Sequence, residues 1–220
     1  MSEQEEISDM KKKVLATGLR VGTNVKTKFM KPFITDASPE GIYMINLDIT
    51  VDRIQTAAKF INQFEPKKVI VCSGRKIVTR AIEKFSDLTN TTIMVGRFMP
   101  GTLTNPSLSY YTEPSLIVIS DPQVDQQAII EATNAGIPVI GVSNTDNITS
   151  EIDLVIPANN RGRKAIATVY WLLARQILVE RGELKENEEP KFQIEDFETK
   201  IIEVEEEIKD QNYKSNYWNR

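Results

Sequence analysis

The stretch SLIVISDPQVDQQAIIEATNAGIPVIGV, residues 115–142, decides the fold class of this chain. It opens with an uninterrupted apolar run at 116–119, and a strand without a polar face is typical of a sheet that is covered on both sides. Asp121 and Pro122 predict that a helix starts at once, with Asp121 as its N-cap. Gly136 ends that helix and a second apolar run follows, so the stretch predicts a strand–helix–strand unit with a right-handed crossover.

The rest of the chain repeats this pattern. Apolar runs predict further strands at 41–47, 69–72, 92–95 and 154–156, and apolar residues at helical spacing predict helices between several of them. The helix after the first of these strands is expected to be capped by Asp48 or Thr50. The predicted fold is an α/β/α sandwich of three layers, with a mainly parallel sheet of the Rossmann or flavodoxin type.

The chain divides into two predicted parts. Residues 10–182 contain all the predicted strands and form the α/β domain, whereas residues 183–220 form an acidic C-terminal extension. Apolar residues in the extension recur at spacings of three and four, which predicts an amphipathic helix with one apolar seam. This seam can fold back on the domain or dock on a partner protein. The residues predicted to dock are Phe197, Ile201, Val204, Ile208, Tyr217 and Trp218.

Composition excludes several kinds of chemistry. The chain has no histidine, which removes the usual general base and the usual zinc ligand. Its single cysteine, Cys72, cannot form an internal disulfide or a cysteine metal cluster, and it fits a reducing compartment. No apolar run approaches the roughly 20 residues that a membrane helix needs, and the first residues do not resemble a secretory signal. We therefore expect a cytoplasmic protein without a membrane anchor, metal or cofactor.

Charge is distributed unevenly along the chain. Residues 180–210 carry 13 acidic and 5 basic residues, a net charge of −8, whereas the whole chain carries −4. The remainder is therefore mildly basic, at +4. Such asymmetry is a hint of a nucleic-acid partner, but from charge alone a solvated acidic tail on an ordinary domain is the simpler explanation.

Basic residues cluster in irregular segments and at predicted helix starts. Lys26, Lys28 and Lys31 alternate with Phe29 and Phe33, a pattern that suits RNA phosphates and base stacking as well as a loop docked on the domain. Two helices are predicted to begin with cations, and a bound phosphate would offset their repulsion by the positive helix end. The predicted RNA-binding residues are Arg20, Lys26, Lys28, Lys31, Arg75, Lys76, Arg97, Arg161, Arg163 and Lys164.

A small-molecule enzyme or sensor is the alternative function. Polar residues follow several predicted strands, where a doubly wound sheet binds its ligands. Gly96 and Gly101 stand at the spacing of a phosphate-binding loop, but Thr102 and Leu103 occupy its Lys and Ser/Thr positions. The chain also lacks the glycine pattern of dinucleotide sites. The residues that such a cleft would offer are Ser73, Arg75, Arg97, Asp121, Asn144, Asp146, Asn160 and Arg161.

Five stretches of the chain share a pattern with a known family. They are GTNVKTKFMKPFI (22–34), GIYMINL (41–47), GRFMPGTLTNP (96–106), SDPQVDQQAI (120–129) and PANNRGRKAIATVYWLLAR (157–175). In these stretches the chain resembles the archaeal branch of the ribosomal protein S2 family, which is akin to the eukaryotic SA protein, also called the laminin-receptor precursor. The resemblance runs from about residue 14 to residue 182. One position departs from it, because Arg20 stands where the family usually has histidine.

The resemblance implies a structural role without catalysis. A protein of this family would lie on the small ribosomal subunit between head and body. It would contact small-subunit rRNA and neighbouring ribosomal proteins, and no small-molecule substrate is expected. The irregular loop at 96–108 would then be an architectural contact rather than a catalytic one.

Overall fold

The computed structural model describes residues 16–185 and 190–200. The strands are β1 (Ile34–Ala37), β2 (Tyr43–Ile45), β3 (Val69–Ser73), β4 (Thr92–Val95), β5 (Leu116–Ile119), β6 (Val139–Ser143) and β7 (Leu154–Pro157). The α-helices of the described residues are α1 (Leu47–Ile61), α2 (Thr79–Thr89), α3 (Gln126–Ala135) and α4 (Arg163–Glu180). Short 3-10 turns lie at Lys31–Phe33, Pro66–Lys68, Lys76–Val78 and Ile194–Phe197.

The main sheet is parallel, and its strand order is β4-β3-β5-β6-β7. Every residue of β3, β5, β6 and β7 is buried, because helices or loops cover both faces. Helices α1, α2 and α4 pack on one face around Phe85 and Tyr170. Helix α3 and the loop that carries Leu103 pack on the other face. The predicted three-layer α/β/α fold is confirmed.

The predicted strand at 41–47 is shorter than predicted and is not part of the main sheet. It forms β2, which pairs antiparallel with β1 in a separate two-stranded sheet. The sequence did not predict β1, because ITDA has only one strongly apolar residue and its burial falls from intermediate to exposed along the strand. The mainly parallel character therefore belongs to the five-stranded sheet alone.

The predicted cap of α1 is wrong. Asn46 is the N-cap, and its Oδ1 accepts hydrogen bonds from the amides of Asp48 (3.0 Å) and Ile49 (3.4 Å). Thr50 is buried one turn into the helix, where its hydroxyl donates to the carbonyl of Pro157 (2.7 Å). Asp48 and Thr50 thus lie inside the helix because its first turn begins before them.

The predicted start of α3 is also wrong. Helix α3 begins at Gln126, and a turn over residues 121–125 separates it from β5. The Asp121 carboxylate accepts a hydrogen bond from the Gln123 amide (2.9 Å) inside this turn instead of capping the helix. The end of the helix is as predicted, because Gly136 takes the left-handed conformation (φ 69°) at its C-cap.

The described part of the C-terminal extension packs on the domain. Phe192 and Phe197 are buried in the same core as α4, and Trp171 Nε1 donates to the Phe192 carbonyl (3.1 Å). Thr199 Oγ1 donates to the Ile77 carbonyl (2.9 Å). Phe197 is therefore a core residue: of the two alternatives for the seam, it folds back on the domain, and its assignment as a residue that docks on a partner protein is wrong.

The predicted helix of the extension is not present over the described residues, where Ile194–Phe197 forms a single 3-10 turn. The other predicted docking residues lie outside the described residues: Ile201, Val204, Ile208, Tyr217 and Trp218. Whether 10–182 folds without the extension stays a prediction. None of the helices over 16–185 and 190–200 is long and apolar enough to cross a membrane.

Candidate nucleic-acid interface

Most of the predicted RNA-binding cations gather at one edge of the main sheet. Parallel strands all end at the same edge, so the loops that follow them are neighbours. Arg75 and Lys76 follow β3, and Arg97 follows β4. The cations after β7 are Arg161, Arg163 and Lys164. We call this side of the domain the carboxyl edge.

The segment 22–31 is tied to this edge by hydrogen bonds. The backbone amide of Thr27 donates to the Thr145 carbonyl (2.9 Å), and its hydroxyl donates to the Asn147 carbonyl (2.8 Å). The Thr23 amide donates to Thr145 Oγ1 (2.9 Å). Gly22 allows the close approach, because a Cβ there would lie 2.5 Å from both the Thr145 methyl and the Tyr43 carbonyl oxygen. The irregular segment is therefore held in one place next to the loop after β6.

The same segment presents lysines and apolar side chains to solvent. Lys26, Lys28 and Lys31 are exposed, and Lys26 Nζ lies 4.6 Å from the centre of the Tyr43 ring. Phe29 is 46% exposed beside them. Met30, which is fully buried, anchors the segment from below. The two sequence-based alternatives are thus combined: the loop docks on the domain, and its cations still face outward.

Unlike these lysines, the Arg75 side chain is bonded within the domain. Its guanidinium forms an ion pair and a hydrogen bond with the Asp121 carboxylate, which is 1% exposed. The pair lies where β3 and β5 end, which is the point where the strand order of the sheet reverses. A buried carboxylate needs such a partner, so Arg75 stabilises the fold before it can bind anything else.

The ligand crevice of this sheet is filled by the chain itself. Asp125 Oδ1 accepts a hydrogen bond from the Gly74 amide (2.6 Å), in the place where a phosphate would bind in a nucleotide-binding protein. The Val124 side chain covers Gly74 so closely that a Cβ there would lie 2.7 Å from Val124 Cγ1. Apart from Arg97, which is exposed, the polar residues predicted for a cleft are therefore engaged with each other or buried.

Burial gives Asp125 an unusual acidity. It raises the pKa of Asp125 to about 7, and the nearby Asp121 charge adds to the shift. The hydrogen bond from the Gly74 amide and the charge of Arg75 oppose the shift without cancelling it. Asp125 Oδ2 has no hydrogen-bond partner among the described residues. This geometry makes Asp125 a residue that stabilises the fold mainly in its neutral form.

The start of α4 is as cationic as predicted, but two of its side chains are engaged. The helix begins at Arg163 and has no acidic residue in its first turn. Arg163 Nη1 donates to the Thr199 carbonyl (3.3 Å), and Arg161 pairs with Asp146. Lys164 is exposed. For α2 the prediction is wrong, because Arg75 precedes a 3-10 turn that Lys76 begins, and the α-helix starts only at Thr79.

The loop at 96–108 is irregular, as predicted, and Glu131 organises it. The Glu131 carboxylate accepts hydrogen bonds from the amides of Gly101 (2.7 Å) and Leu103 (3.1 Å), and from Gln127 Nε2 (2.8 Å). Burial opposes ionisation of this carboxyl, but these hydrogen bonds outweigh it and lower its pKa. No sequence pattern indicates this role, because a glutamate within a helix is usually exposed.

This arrangement defines a class of protein. Over the described residues this is a Rossmann-like domain with a filled crevice and a basic carboxyl edge, which is typical of a structural protein rather than of an enzyme with an open ligand site. The model of the family described as Ribosomal protein S2 matches residues 14–111 and 108–179.

Curated archaeal proteins agree with that match, and each is called small ribosomal subunit protein uS2. One from Nitrosopumilus maritimus is 67% identical over 205 residues, covering 93% of this chain and 99% of that protein. One from Cenarchaeum symbiosum is 52% identical over 88% of this chain and 93% of its own length. One from Thermofilum pendens is 48% identical over 86% and 88%. The chain belongs to the ribosomal protein S2 family, so the predicted structural, non-enzymatic role in the ribosome is confirmed.

Proposed function

We propose that the carboxyl edge of the sheet binds small-subunit rRNA through lysines that the fold holds in fixed positions. The observation that carries this proposal is the hydrogen-bonded attachment of the segment 22–31 to Thr145 and Asn147. A lysine on a loose loop loses conformational freedom when it binds phosphate, and a segment that is already ordered loses less.

The exposed cations carry most of this binding. Lys26, Lys28 and Lys31 lie on the anchored segment, and two further exposed cations lie at the ends of the same edge, Arg97 and Lys164. Arg161 is exposed but pairs with Asp146, so a phosphate would have to compete with that carboxylate. Arg20, Arg75, Lys76 and Arg163 are half-buried and contribute less.

Phe29 gives the interface a second kind of contact. Its ring is nearly half exposed, and Val25 (54% exposed) and Ile148 (64% exposed) lie on the same segment and on the loop that anchors it. An unpaired base can stack on such a ring, and stacking of this kind tolerates any base. The proposed interface therefore reads the shape of the RNA and the exposure of its bases rather than a base sequence.

The protein would act in the cytoplasm as part of the small subunit, between head and body and beside neighbouring ribosomal proteins. The family membership supports this placement. No small-molecule substrate or cofactor is proposed, because the crevice that would hold one is filled by Asp125 and Val124.

Co-sedimentation tests the proposal. The variant Lys26→Gln/Lys28→Gln/Lys31→Gln should occupy small subunits less than the wild-type chain in the same cells. The matched control is Lys59→Gln/Lys185→Gln/Lys191→Gln, which removes the same charge from exposed lysines on α1 and on the segments after α4. Equal occupancy of the two variants would refute the proposed interface, and absence of the wild-type chain from subunits would refute the ribosomal role itself.

A further inference from the structure

One side of the main sheet is open. In the part of the chain that the structure describes, β4 is the last strand on that side, and β3, α2 and the turn Pro66–Lys68 are the elements that pack closely on it. The outermost strand on the opposite side is β7, and helix α1 packs on it. There the Thr50 hydroxyl donates to the Pro157 carbonyl, and Pro157 itself has no amide to offer.

Among the described residues, the backbone groups of β4 that face this open side have no partner strand. The Gly96 amide donates to the Ser73 carbonyl (2.9 Å), so it points towards β3. Amides alternate in direction along a strand, and those of Ile93 and Val95 therefore point away from β3, together with their carbonyl groups. Only another extended backbone matches donors and acceptors at this spacing.

Apart from its short length of four residues, β4 lacks the usual protection against strand pairing. Its sequence is TIMV, without a charged residue, a proline or a bulge. Val95 is 42% exposed and Met99, just beyond the strand, is 52% exposed. A bare apolar edge of this kind promotes aggregation unless another chain covers it.

The charges around the edge indicate the chemistry of the partner. Lys67 lies at the amino end of β4, because its carbonyl accepts a hydrogen bond from Thr92 Oγ1 (2.9 Å). Lys68 follows it, and Arg97 stands at the carboxyl end of β4. Glu65 is an acidic residue at the amino end. Helix α2, which packs on β4, adds two acidic and two basic residues: Arg80, Glu83, Lys84 and Asp87. Cations therefore still outnumber acidic residues around the edge. A strand with apolar residues at its centre and acidic residues at its ends fits this surface.

We infer that β4 accepts an extended segment of a neighbouring small-subunit ribosomal protein as a sixth strand of the main sheet. This inference rests on the proposed function, because the partner is a ribosomal neighbour. The backbone hydrogen bonds of Ile93 and Val95 supply the pairing, and Val95 and Met99 supply the apolar contact.

Hydrogen exchange tests the backbone part of the inference. In wild-type chain isolated within small subunits, the amides of Ile93 and Val95 should exchange at least tenfold more slowly than in the free chain. The Gly96 amide is the internal reference, because it is already bonded to Ser73 and should change little. Unchanged exchange at Ile93 and Val95 in the subunit would overturn the inference.

Crosslinking identifies the class of the partner. A photo-crosslinking amino acid in place of Val95 should give a nuclease-resistant adduct with a second ribosomal protein. Val95→Pro, which removes the outward amide without touching the bonds to β3, should lower this chain's occupancy of small subunits, whereas Val95→Thr should not.

An adduct with rRNA, with another part of this chain or with a second copy of it would overturn the inference, as would equal occupancy of the two variants. Absence of the wild-type chain from the subunit fraction would overturn the proposed function and this inference with it.

Discussion

Asp125 accepts a hydrogen bond from the backbone amide of Gly74, and this contact closes the crevice between β3 and β5. In a nucleotide-binding protein of this architecture a ligand phosphate would accept from such an amide. Here a side chain of the same polypeptide does so, and burial raises its pKa to about 7. The fold has thus been kept while its ligand site has become part of the core.

The raised pKa of Asp125 predicts a pH-dependent effect of removing its charge. The folded protein keeps the Asp125 proton up to about pH 7, whereas the unfolded chain releases it near pH 4. Asp125 therefore does not destabilise the folded state below pH 4. Between pH 4 and pH 7 the protein loses stability, because only the unfolded chain gains from ionising this carboxyl. Asp125→Asn keeps the acceptor for Gly74 and should stabilise the protein at pH 8, by at most about 4 kcal/mol. At pH 4 the two proteins should melt alike. A constant difference between pH 4 and pH 8 would show that Asp125 does not titrate in this range.

Arg75 should behave as a residue of the fold rather than of the RNA interface. Arg75→Gln leaves the Asp121 carboxylate buried without its charged partner, which costs about 3–5 kcal/mol. Denaturant unfolding measures this loss, and Arg75→Gln/Asp121→Asn should recover part of it. If Arg75→Gln were as stable as the wild type but bound rRNA more weakly, the original RNA-binding assignment would be right.

Phe197 should stabilise the domain although it lies beyond residue 182. Its side chain is fully buried, and Phe197→Ala should cost about 3–5 kcal/mol. A chain ending at residue 182 keeps the strands and the four described α-helices, so it should still unfold cooperatively, but at a lower temperature than the full chain. Equal melting temperatures for the two lengths would mean that the packing of 190–200 contributes nothing.

Glu131 should fix the loop at 96–108. Glu131→Gln replaces one of two acceptor oxygens by a donor, which leaves the Gly101 or the Leu103 amide unpaired. We expect a loss of about 1–3 kcal/mol and faster proteolytic cleavage within the loop. Gln127→Ala, which keeps both oxygens, is the milder control. Identical cleavage rates for Glu131→Gln and the wild type would show that other contacts hold the loop.

The parallel sheet was predictable because four or five consecutive apolar residues admit few other structures. The partner of Arg75 was not, because Asp121 is 46 residues away and meets it only when β3 and β5 become neighbours. The N-cap of α1 is a local feature, but it was ambiguous in sequence because three residues that can cap a helix lie within five positions, and Asn46 is the one that does so. The acidic surroundings of Phe192 and Phe197 concealed their burial, because composition describes a segment and not the direction of each side chain.

The salt dependence of rRNA affinity tests the central claim most directly. Affinity falls as salt rises, and each lysine that neutralises a phosphate makes the slope of log affinity against log salt steeper by roughly 0.7–0.9. Lys26→Gln/Lys28→Gln/Lys31→Gln should therefore flatten the slope for purified small-subunit rRNA by about two to three, whereas Lys59→Gln/Lys185→Gln/Lys191→Gln should leave it unchanged. An unchanged slope in the first variant would contradict the claim that the anchored segment binds the RNA backbone.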